Sequence, residues 1–421
     1  MRSRPRSARA PSSTLTRFST LAVADVAARG LAFLATLLIV RAFADEAFGQ
    51  LGVATAVVAY ALQASTCGLD VFAVRHGARH PDQIGATASS VMAMRSTLGL
   101  VAYALLLAVC WGVPALRPIF PLVALFGLTI FTGALSLTWV PQALQQSGAL
   151  AAANLSIGAL YFLGVLVITR TGGPLWSVPV AQVAAEALVA VGLYWWLRGR
   201  AARLVAPRPW AEWGRVLQES APIGASLLLR TIALGSDLVL LRLLLVGDAQ
   251  IGWYNGASRL FALMMGLSAV YFTILFPRLS QRAAESPGAF RSEALGSLAR
   301  VMPLALAAAV GVAALAPWAL GLLFSPSFAN AAMALRILGV AALVNVINNH
   351  FRYMLLATNR QQRYLRDTAV ATLAHVAFKL VLIPMAGIEG AALGTLSGEL
   401  AVLVLGLWAT RGDLRRRVVP E

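Results

Sequence analysis

The chain has 421 residues, of which 59% are hydrophobic and only 12% are charged. A soluble domain has ~45–50% apolar and ~25% charged residues, so this composition excludes an ordinary soluble protein. The apolar residues occur in long runs, and a helical run of ~20 residues crosses a bilayer core of ~30 Å. The two cysteines, Cys67 and Cys110, are too few for a disulfide framework or a cysteine-based metal cluster. The sequence therefore predicts an all-α membrane protein.

The net charge of +17 does not indicate a nucleic-acid partner, because the basic residues follow a membrane topology. All of the 34 basic residues except Lys379 are arginines. With a cytoplasmic N-terminus, the predicted cytoplasmic segments carry most of the arginines outside the spans, and the loops on the other side carry only Arg117 and Arg170. This asymmetry follows the positive-inside rule, so we expect a multi-pass protein with both termini in the cytoplasm.

The N-terminal segment MRSRPRSAR is basic, and the apolar run after it is too long for a signal peptide. We therefore predict a cytoplasmic arm followed by twelve spans, most of them separated by Gly or Pro. The spans are predicted near residues 18–43, 48–73, 84–113, 119–141, 148–169, 174–197, 218–246, 250–276, 298–324, 330–356, 364–386 and 390–410. The predicted regions are the arm 1–17, an N-terminal six-helix lobe 18–197, a cytoplasmic interfacial linker 198–217, a C-terminal six-helix lobe 218–410 and a cytoplasmic tail 411–421.

The two halves of the chain resemble each other when one is shifted by 203 residues (248 − 45). The shift aligns Asp45–Arg79 with Asp248–Arg282 without a gap, and it matches an acid and a glycine at one turn and two arginines at the far end. Each half has six predicted spans, so both cross the membrane in the same sense, as parallel repeats do. The alternative is that two generic hairpins of similar composition match by chance.

Four arginines lie deep inside predicted spans, where an ionisable side chain is costly and marks a pathway or a site. They are Arg29, Arg95, Arg230 and Arg259. Asp25 precedes Arg29 by four residues, on the same helix face. Asp237 follows Arg230 by seven residues, which again places both on one face of a helix. Such acids either neutralise the arginines and fix helix packing, or the arginines line a pathway. Because arginine binds phosphate oxygens through a planar fork, a pathway of this kind suits an anionic, phosphate-bearing substrate.

Carboxylates near mid-membrane are candidates for ion coupling, because a buried carboxylate can carry a proton or bind Na⁺. Hydrogen-bonded helix packing is the alternative for each of them. We predict coupling through Asp25, Asp237 or Glu399, and we add Lys379 of the eleventh span to the candidates for substrate binding. The sequence has no Ser/His/Asp set, no metal-ligand spacing and no GxxxxGK[ST] motif, so it predicts neither a metal or organic cofactor nor a nucleotide site.

Three stretches carry a family resemblance: LLIVRAFADEAFGQLGVATAVVAYALQASTCGLDVFAVRHGAR, SDLVLLRLLLVGDAQIGWYNGASRLFAL and LVLIPMAGIEGAALGTLSGE. They resemble polysaccharide-unit flippases of the Wzx type, in the multidrug/oligosaccharidyl-lipid/polysaccharide exporter superfamily. The resemblance covers most of the chain. It departs from the family pattern at Lys379, because the family commonly has asparagine three residues before the Leu-Ile-Pro sequence.

The resemblance implies two six-helix lobes that form a V, with a cavity lined largely by spans 1, 2, 7 and 8. It implies a flippase that moves an undecaprenyl-diphosphate-linked oligosaccharide from the cytoplasmic to the outer leaflet of a bacterial inner membrane by alternating access, for lipopolysaccharide or exopolysaccharide biosynthesis. The expected partners are this lipid-linked sugar, membrane lipids, a polysaccharide polymerase and glycosyltransferases, with H⁺ or Na⁺ as the coupling ion. The substrate-binding residues would be Arg29, Arg95, Arg230, Arg259 and Lys379.

Three alternatives remain open. A lipid II flippase transports a related diphosphate lipid, although that family usually carries more spans. A multidrug exporter of the same superfamily handles cations and would prefer an acidic cavity. A membrane polymerase or ligase acting on lipid-linked sugars would be an enzyme, and it would usually need a large outer loop, which the sequence does not predict. We therefore expect a transporter rather than an enzyme.

Overall fold

The computed structural model describes residues 14–199, 212–244, 246–358 and 361–416. These residues form α-helices and short 3-10 turns, and none of them forms a β-strand. Most of the predicted arm and linker and the end of the predicted tail lie outside the described residues. The helices are α1 (Thr14–Ala42), α2 (Asp45–Thr66), α3 (Leu69–Arg79), α4 (Ile84–Gly112), α5 (Phe120–Gly127), α6 (Thr129–Leu135), α7 (Trp139–Ala143), α8 (Ser147–Thr171), α9 (Ser177–Arg198), α10 (Trp213–Leu243), α11 (Asp248–Glu285), α12 (Pro287–Leu323), α13 (Ala332–Ala357) and α14 (Gln361–Arg416).

The helices provide the twelve predicted spans. Ten helical segments are long and apolar enough to cross a bilayer, and the bent helix α10 makes an eleventh. The twelfth arises because α14 contains two helices joined at Ala386 and Gly387, where the backbone is not helical. Gly387 has a φ of 55°, which glycine adopts without the steric cost of a Cβ. The predicted fold class, an all-α membrane protein of two six-helix lobes, is confirmed.

Two spans are less regular than the sequence predicts. The second makes a sharp turn at Cys67 and Gly68, which both have positive φ, and continues as α3. The fourth, predicted as one helix, consists of the short helices α5, α6 and α7. Within it, the hydroxyls of Thr129 and Thr132 donate to backbone carbonyls three residues earlier. Such local bonds compete with the regular helix and favour bends.

The lobes share one hydrophobic core at one end of the molecule, and two smaller cores lie at the other end. The shared core lies beside the α1–α2 and α10–α11 turns and includes Phe48, Tyr254 and Phe328. At the opposite end, one core surrounds Trp139 and includes the start of α10, and another surrounds Phe272 in the C-terminal lobe. Because close van der Waals packing drives the association of helices in a membrane, the shared core holds the lobes together. We call its side the closed end and the opposite side the open end.

The closest approach of the lobes, at the closed end, follows the internal repeat. A Cβ atom added to Gly49 of α2 would collide with the carbonyl oxygen of Asp248 at the start of α11. A Cβ atom added to Gly252 would collide in the same way with the carbonyl oxygen of Asp45. Both pairs are related by the shift of 203 residues (252 − 49). The repeat therefore corresponds to an approximate two-fold symmetry of the contact between α2 and α11.

Side chains at this contact repeat the same exchange between lobes. Gln50 donates a hydrogen bond to the Asp248 carboxylate at 2.9 Å. Trp253, its counterpart after the shift, donates to the Asp45 carboxylate at 2.7 Å. Each lobe thus places an aspartate at the start of a helix and a donor five residues later, and each aspartate is bonded by the other lobe. Asp45 and Asp248 therefore take part in the contact that joins the lobes at the closed end.

Candidate functional site

Parts of α1 and α11 are exposed toward the open end. Ile39 and Val40 of α1 are buried in the shared core, whereas Val26, nearer the open end, is 61% exposed. In α11, Ala257 is buried and Leu267, nearer the open end, is 76% exposed. α2 packs along α10, but the equivalent pair α1 and α11 has at most a marginal contact. From this exposure and the lack of a substantial contact, we infer a cleft between the lobes at the open end that opens laterally between α1 and α11.

Arg29 lies on the exposed part of α1. Its Nε donates to Asp25 at 2.8 Å, and the arginine side chain is 70% exposed. The pairing of Asp25 with Arg29 on one helix face therefore occurs as the spacing suggests. An exposed ion pair of this kind contributes only ~0–1 kcal/mol. Arg29 can consequently exchange Asp25 for an anionic ligand at little cost.

Arg230 and Arg259 are exposed, and neither has a hydrogen-bond or ion-pair partner among the described side chains. Arg259 is surrounded by protein on many sides and lies in electrostatic range of the Tyr161 hydroxyl on α8 of the other lobe. Arg259 is therefore accessible although protein surrounds it, as expected for a side chain that faces a cleft between the lobes. A cation without a protein counter-ion at membrane depth is costly unless water or an anionic ligand accompanies it. These two arginines are therefore available to a ligand.

Arg95 has a different environment from the other three arginines. Its side chain is 7% exposed, and Nη1 donates to the carboxylate of Asp70 at 2.7 Å. Asp70 lies at the start of α3, and the turn at Cys67 and Gly68 brings it beside α4. The structure thus supplies the partner that the sequence around Arg95 lacks. It places Arg95 inside the N-terminal lobe and does not bring it to the cleft with Arg29, Arg230 and Arg259.

Lys379 and Asp237 form a buried ion pair in the C-terminal lobe. The lysine ammonium contacts Oδ1 of Asp237, and only 1% of the lysine side chain is exposed. Oδ2 of Asp237 accepts a hydrogen bond from the Tyr254 hydroxyl at 2.7 Å. Asp237 therefore pairs with Lys379 and not, as its spacing suggested, with Arg230. The structure also places Lys379 behind the cleft surface, so its part in substrate binding stays a prediction without support from this geometry.

Glu399 lies in a second buried cluster, between α13 and the second half of α14. Asn345 donates to its carboxylate at 2.8 Å and Asn348 at 2.6 Å. Nε2 of His375 lies 3.6 Å from the same carboxylate. All four residues are at most 6% exposed. The arrangement can hold a carboxylate in the membrane interior, with a histidine beside it.

Sequence reasoning missed the neutral members of these clusters. Asn345, Asn348 and Thr395 are buried polar residues within apolar spans. The presence of polar residues in apolar stretches was the signal that could have identified them from the sequence. Buried polar groups are normally hydrogen-bonded, so three such residues in apolar spans predict partners among the nearby charges. Which charge each one contacts depends on helix rotation, and the sequence does not specify it.

A family model described as "Polysaccharide biosynthesis protein" matches residues 15–282. A search of curated protein sequences gave no significant match. Among solved structures, an inward-facing multidrug resistance MATE family transporter of the MOP superfamily has a TM-score of 0.73 and 15% identity, with 96% of this chain and 99% of that chain covered. An outward-facing conformation of such a transporter has a TM-score of 0.65 and 16% identity, with 96% of both chains covered. Lipid II flippase MurJ, in an inward closed conformation, has a TM-score of 0.74 and 13% identity, with 93% of this chain and 87% of that chain covered.

The structural similarities establish the fold, a multi-pass membrane protein of the two-lobe MOP type. The family model covers 268 of the 421 residues (282 − 15 + 1), which is more than half of the chain. The structural relatives are transporters and flippases, in agreement with the fold that the sequence resemblance implies. This chain therefore belongs to the polysaccharide biosynthesis protein family, and it has the fold of MOP-superfamily transporters.

Proposed function

We propose that this chain is a flippase for a lipid-diphosphate-linked oligosaccharide in a bacterial inner membrane. The lipid would enter from the cytoplasmic leaflet and leave into the outer leaflet, where the sugar unit joins a cell-surface polysaccharide. The family match supports transport in polysaccharide biosynthesis. The substrate class within that family rests on the chemistry of the cleft.

The observation that carries this proposal is the pair of exposed, unpartnered cations beside the cleft, Arg230 and Arg259. Arg29 is available on α1 as a third, since its pair with Asp25 is exposed. A diphosphate offers several oxygens, and arginine binds such groups through two parallel hydrogen bonds. A cationic drug would find no exposed acid in this set except Asp25, which already faces Arg29. The charges therefore favour an anionic substrate over a multidrug cation.

The lateral opening suits a substrate with a lipid tail. Because α1 and α11 barely touch, a polyprenyl chain can remain in the bilayer while the head group enters between the lobes. The arginine bias of the loops supports a cytoplasmic open end, on the side where such a lipid is assembled. The higher similarity to the inward-facing MATE conformation than to the outward-facing one agrees with that assignment.

We propose Glu399 as the coupling acid and the proton as the coupling ion. Asp25 and Asp237 each lie directly against a permanent cation, Arg29 and Lys379. Glu399 is instead held by two amides and by His375, whose charge depends on protonation. A buried acid of this kind can take up and release a proton as the lobes move.

The decisive experiment replaces the chromosomal gene with Arg259→Ala and measures both surface polysaccharide and lipid-linked oligosaccharide in the inner leaflet. Loss of a hydrogen-bonded charge pair costs ~1.5–3 kcal/mol, which corresponds to roughly a 10- to 150-fold lower transport rate. Arg259→Lys should retain part of the activity, because it keeps the charge and loses the fork. Arg336→Ala is the matched control, since Arg336 is exposed and its one hydrogen bond among the described residues goes to the Ala313 carbonyl.

The same strain separates this proposal from the lipid II alternative. Accumulation of an undecaprenyl-diphosphate oligosaccharide, with normal peptidoglycan, supports the proposed substrate. Accumulation of lipid II with cell lysis would assign the chain to the peptidoglycan precursor. Normal polysaccharide export by a stably inserted Arg259→Ala variant would remove Arg259 from the site.

A further inference from the structure

The ammonium group of Lys379 lies in a cage of oxygen atoms. It contacts Oδ1 of Asp237, lies 3.0 Å from the Ser236 hydroxyl and lies 3.3 Å from the Ala233 carbonyl. These three acceptors satisfy its three N–H donors. The hydroxyl of Thr395 lies 3.5 Å from both carboxylate oxygens of Asp237. The cage therefore combines a carboxylate, hydroxyls and a backbone carbonyl, which are the oxygen ligands that hard cations prefer.

The cage is built at a bend in a membrane helix. α10 bends by 58° between its segments Trp213–Ala233 and Gly235–Leu243, while its backbone stays helical from Trp213 to Leu243. Ala233 lies at the bend, and its carbonyl is one of the ligands of the ammonium. In secondary transporters, interrupted helices place backbone carbonyls around coupling cations. The bend of α10 places a backbone carbonyl beside the ammonium in a similar way.

The rest of the protein fits the lysine closely. A Cβ atom added to Gly394, on the second half of α14, would collide with Cγ and backbone atoms of Lys379. The other groups that face Asp237 are the hydroxyls of Tyr254 on α11 and of Tyr60 on α2. Tyr60 belongs to the N-terminal lobe and packs against Gly235 at the bend of α10. The cage thus lies directly behind the seam between the lobes.

We propose that this cage is a cation site whose cation belongs to the chain: the Lys379 ammonium takes the place of a mobile monovalent ion. The pair of Lys379 and Asp237 is electrically neutral, so an additional Na⁺ would enter an apolar interior without a counter-charge, which is unfavourable. The bend of α10 is consequently held without dissolved cations. Removing the ammonium creates a vacant site with one uncompensated carboxylate, and this site binds Na⁺ or a small amine.

The test measures the thermal unfolding midpoint of the purified full-length protein in Na⁺ and in N-methylglucamine at equal ionic strength. The wild type should show the same midpoint in both. Lys379→Met should unfold at a lower temperature in N-methylglucamine, and Na⁺ should raise its midpoint by several degrees in a saturable manner. Lys379→Ala, which leaves more room, should respond to methylammonium as well.

Two double variants locate the response. Lys379→Met with Asp237→Asn should lose the Na⁺ effect, because the carboxylate is gone. Lys379→Met with Glu399→Gln is the matched control, and it should keep the effect because Glu399 belongs to the neighbouring cluster. If the single variants fold only in the presence of Na⁺ or methylammonium during extraction, the yield of folded protein replaces the midpoint as the readout.

Either of two results would overturn the proposal. One is an Asp237-dependent Na⁺ response of the wild-type protein, which would show that the cage accepts a mobile ion beside the lysine. The other is a Lys379 variant, folded or unfolded, that responds to neither Na⁺ nor methylammonium. The identity of the transported lipid does not affect this result, because the experiment measures stability and not translocation. Its failure is therefore distinguishable from failure of the arginine site.

Discussion

The two glycines at the closest approach of the lobes provide a direct test of alternating access. In Gly252→Ala, the new Cβ atom would meet the carbonyl oxygen of Asp45 and the backbone nitrogen of Gly49. These are backbone atoms, so they cannot rotate away as a flexible side chain would. The variant must separate α2 from α11 at the closed end. We therefore expect it to favour the conformation that is open at this end.

The size of the effect follows from the contact. Overpacking of a well-packed core typically costs ~1–3 kcal/mol, which changes the ratio of the two conformations by roughly 5- to 150-fold. The intrinsic effect of Gly→Ala in a helix has the opposite sign, because alanine stabilises a helix by up to ~1 kcal/mol. Gly266→Ala on the same helix isolates this intrinsic effect, since no atom lies within 4 Å of its added Cβ.

Spin labels on the two lobes measure the opening. Arg170→Cys and Met385→Cys place them at the closed end, in a background where Cys67 and Cys110 are replaced by alanine. Met385 is 77% exposed and Arg170 is exposed, so both accept a label. Gly252→Ala should lengthen the interlabel distance, and Gly266→Ala should leave it unchanged. An unchanged distance in a folded Gly252→Ala variant would refute the inference that this contact holds the lobes together.

Three further predictions concern the polar contacts. Asp70→Asn should lower the free energy of unfolding by ~1–3 kcal/mol, because it leaves the buried Arg95 without its counter-charge. The control Arg75→Ala breaks an exposed ion pair and should cost less than ~1 kcal/mol. Thermal unfolding midpoints of the two variants measure the difference. Glu399→Gln should keep the fold and make polysaccharide export insensitive to a protonophore, and an export rate that still falls with the protonophore would assign coupling elsewhere. Trp253→Phe should weaken the contact between the lobes at the closed end by ~1 kcal/mol, because the hydrogen bond to Asp45 is lost. The spin-label pair should then report a partial increase in distance, in the same direction as for Gly252→Ala.

The fold could be predicted from the sequence because membrane spans leave a strong signal. Long apolar runs, the arginine bias of the loops and the repeat of Asp45 and Gly49 at Asp248 and Gly252 each depend on residue order alone. The breaks inside spans were not predicted. The turn at Cys67 and the division of the fourth span depend on backbone geometry and on threonine hydroxyls, which leave little trace in hydropathy.

The site could be predicted only in part, because spacing along one helix does not determine contacts between helices. Asp25 pairs with Arg29 as its spacing suggests, since both lie on α1. The partners of Arg95 and Asp237 come from other helices, and they divide the predicted charges into a buried group and an exposed group. Burial therefore separates arginines that stabilise a lobe from arginines that remain available to a ligand.

The buried acids show that the lobes share a plan. Glu186, in the last span of the N-terminal lobe, accepts a hydrogen bond from Thr132 of the fourth span at 2.5 Å. Glu399, in the last span of the C-terminal lobe, accepts one from Asn345 of that lobe's fourth span at 2.8 Å. In both lobes a carboxylate of the last helix is bonded to the fourth helix. The contact between these two helices therefore belongs to a plan that both lobes share.

The ion pair of Lys379 and Asp237, in contrast, belongs to one lobe. The counterpart of Asp237 after the shift is Leu34 (237 − 203), and α1, which contains it, is a single helix without a break. In the described part of the chain, the bend of a lobe's first helix and a buried ammonium therefore occur together, in the C-terminal lobe only. At the bend, the lysine donates to the Ala233 carbonyl and contacts Asp237, so one buried ion pair joins α10 to α14 beside the seam. In the N-terminal lobe, Leu34 at the position equivalent to Asp237 cannot form such a pair, so this link between a lobe's first and fifth spans is specific to the C-terminal lobe.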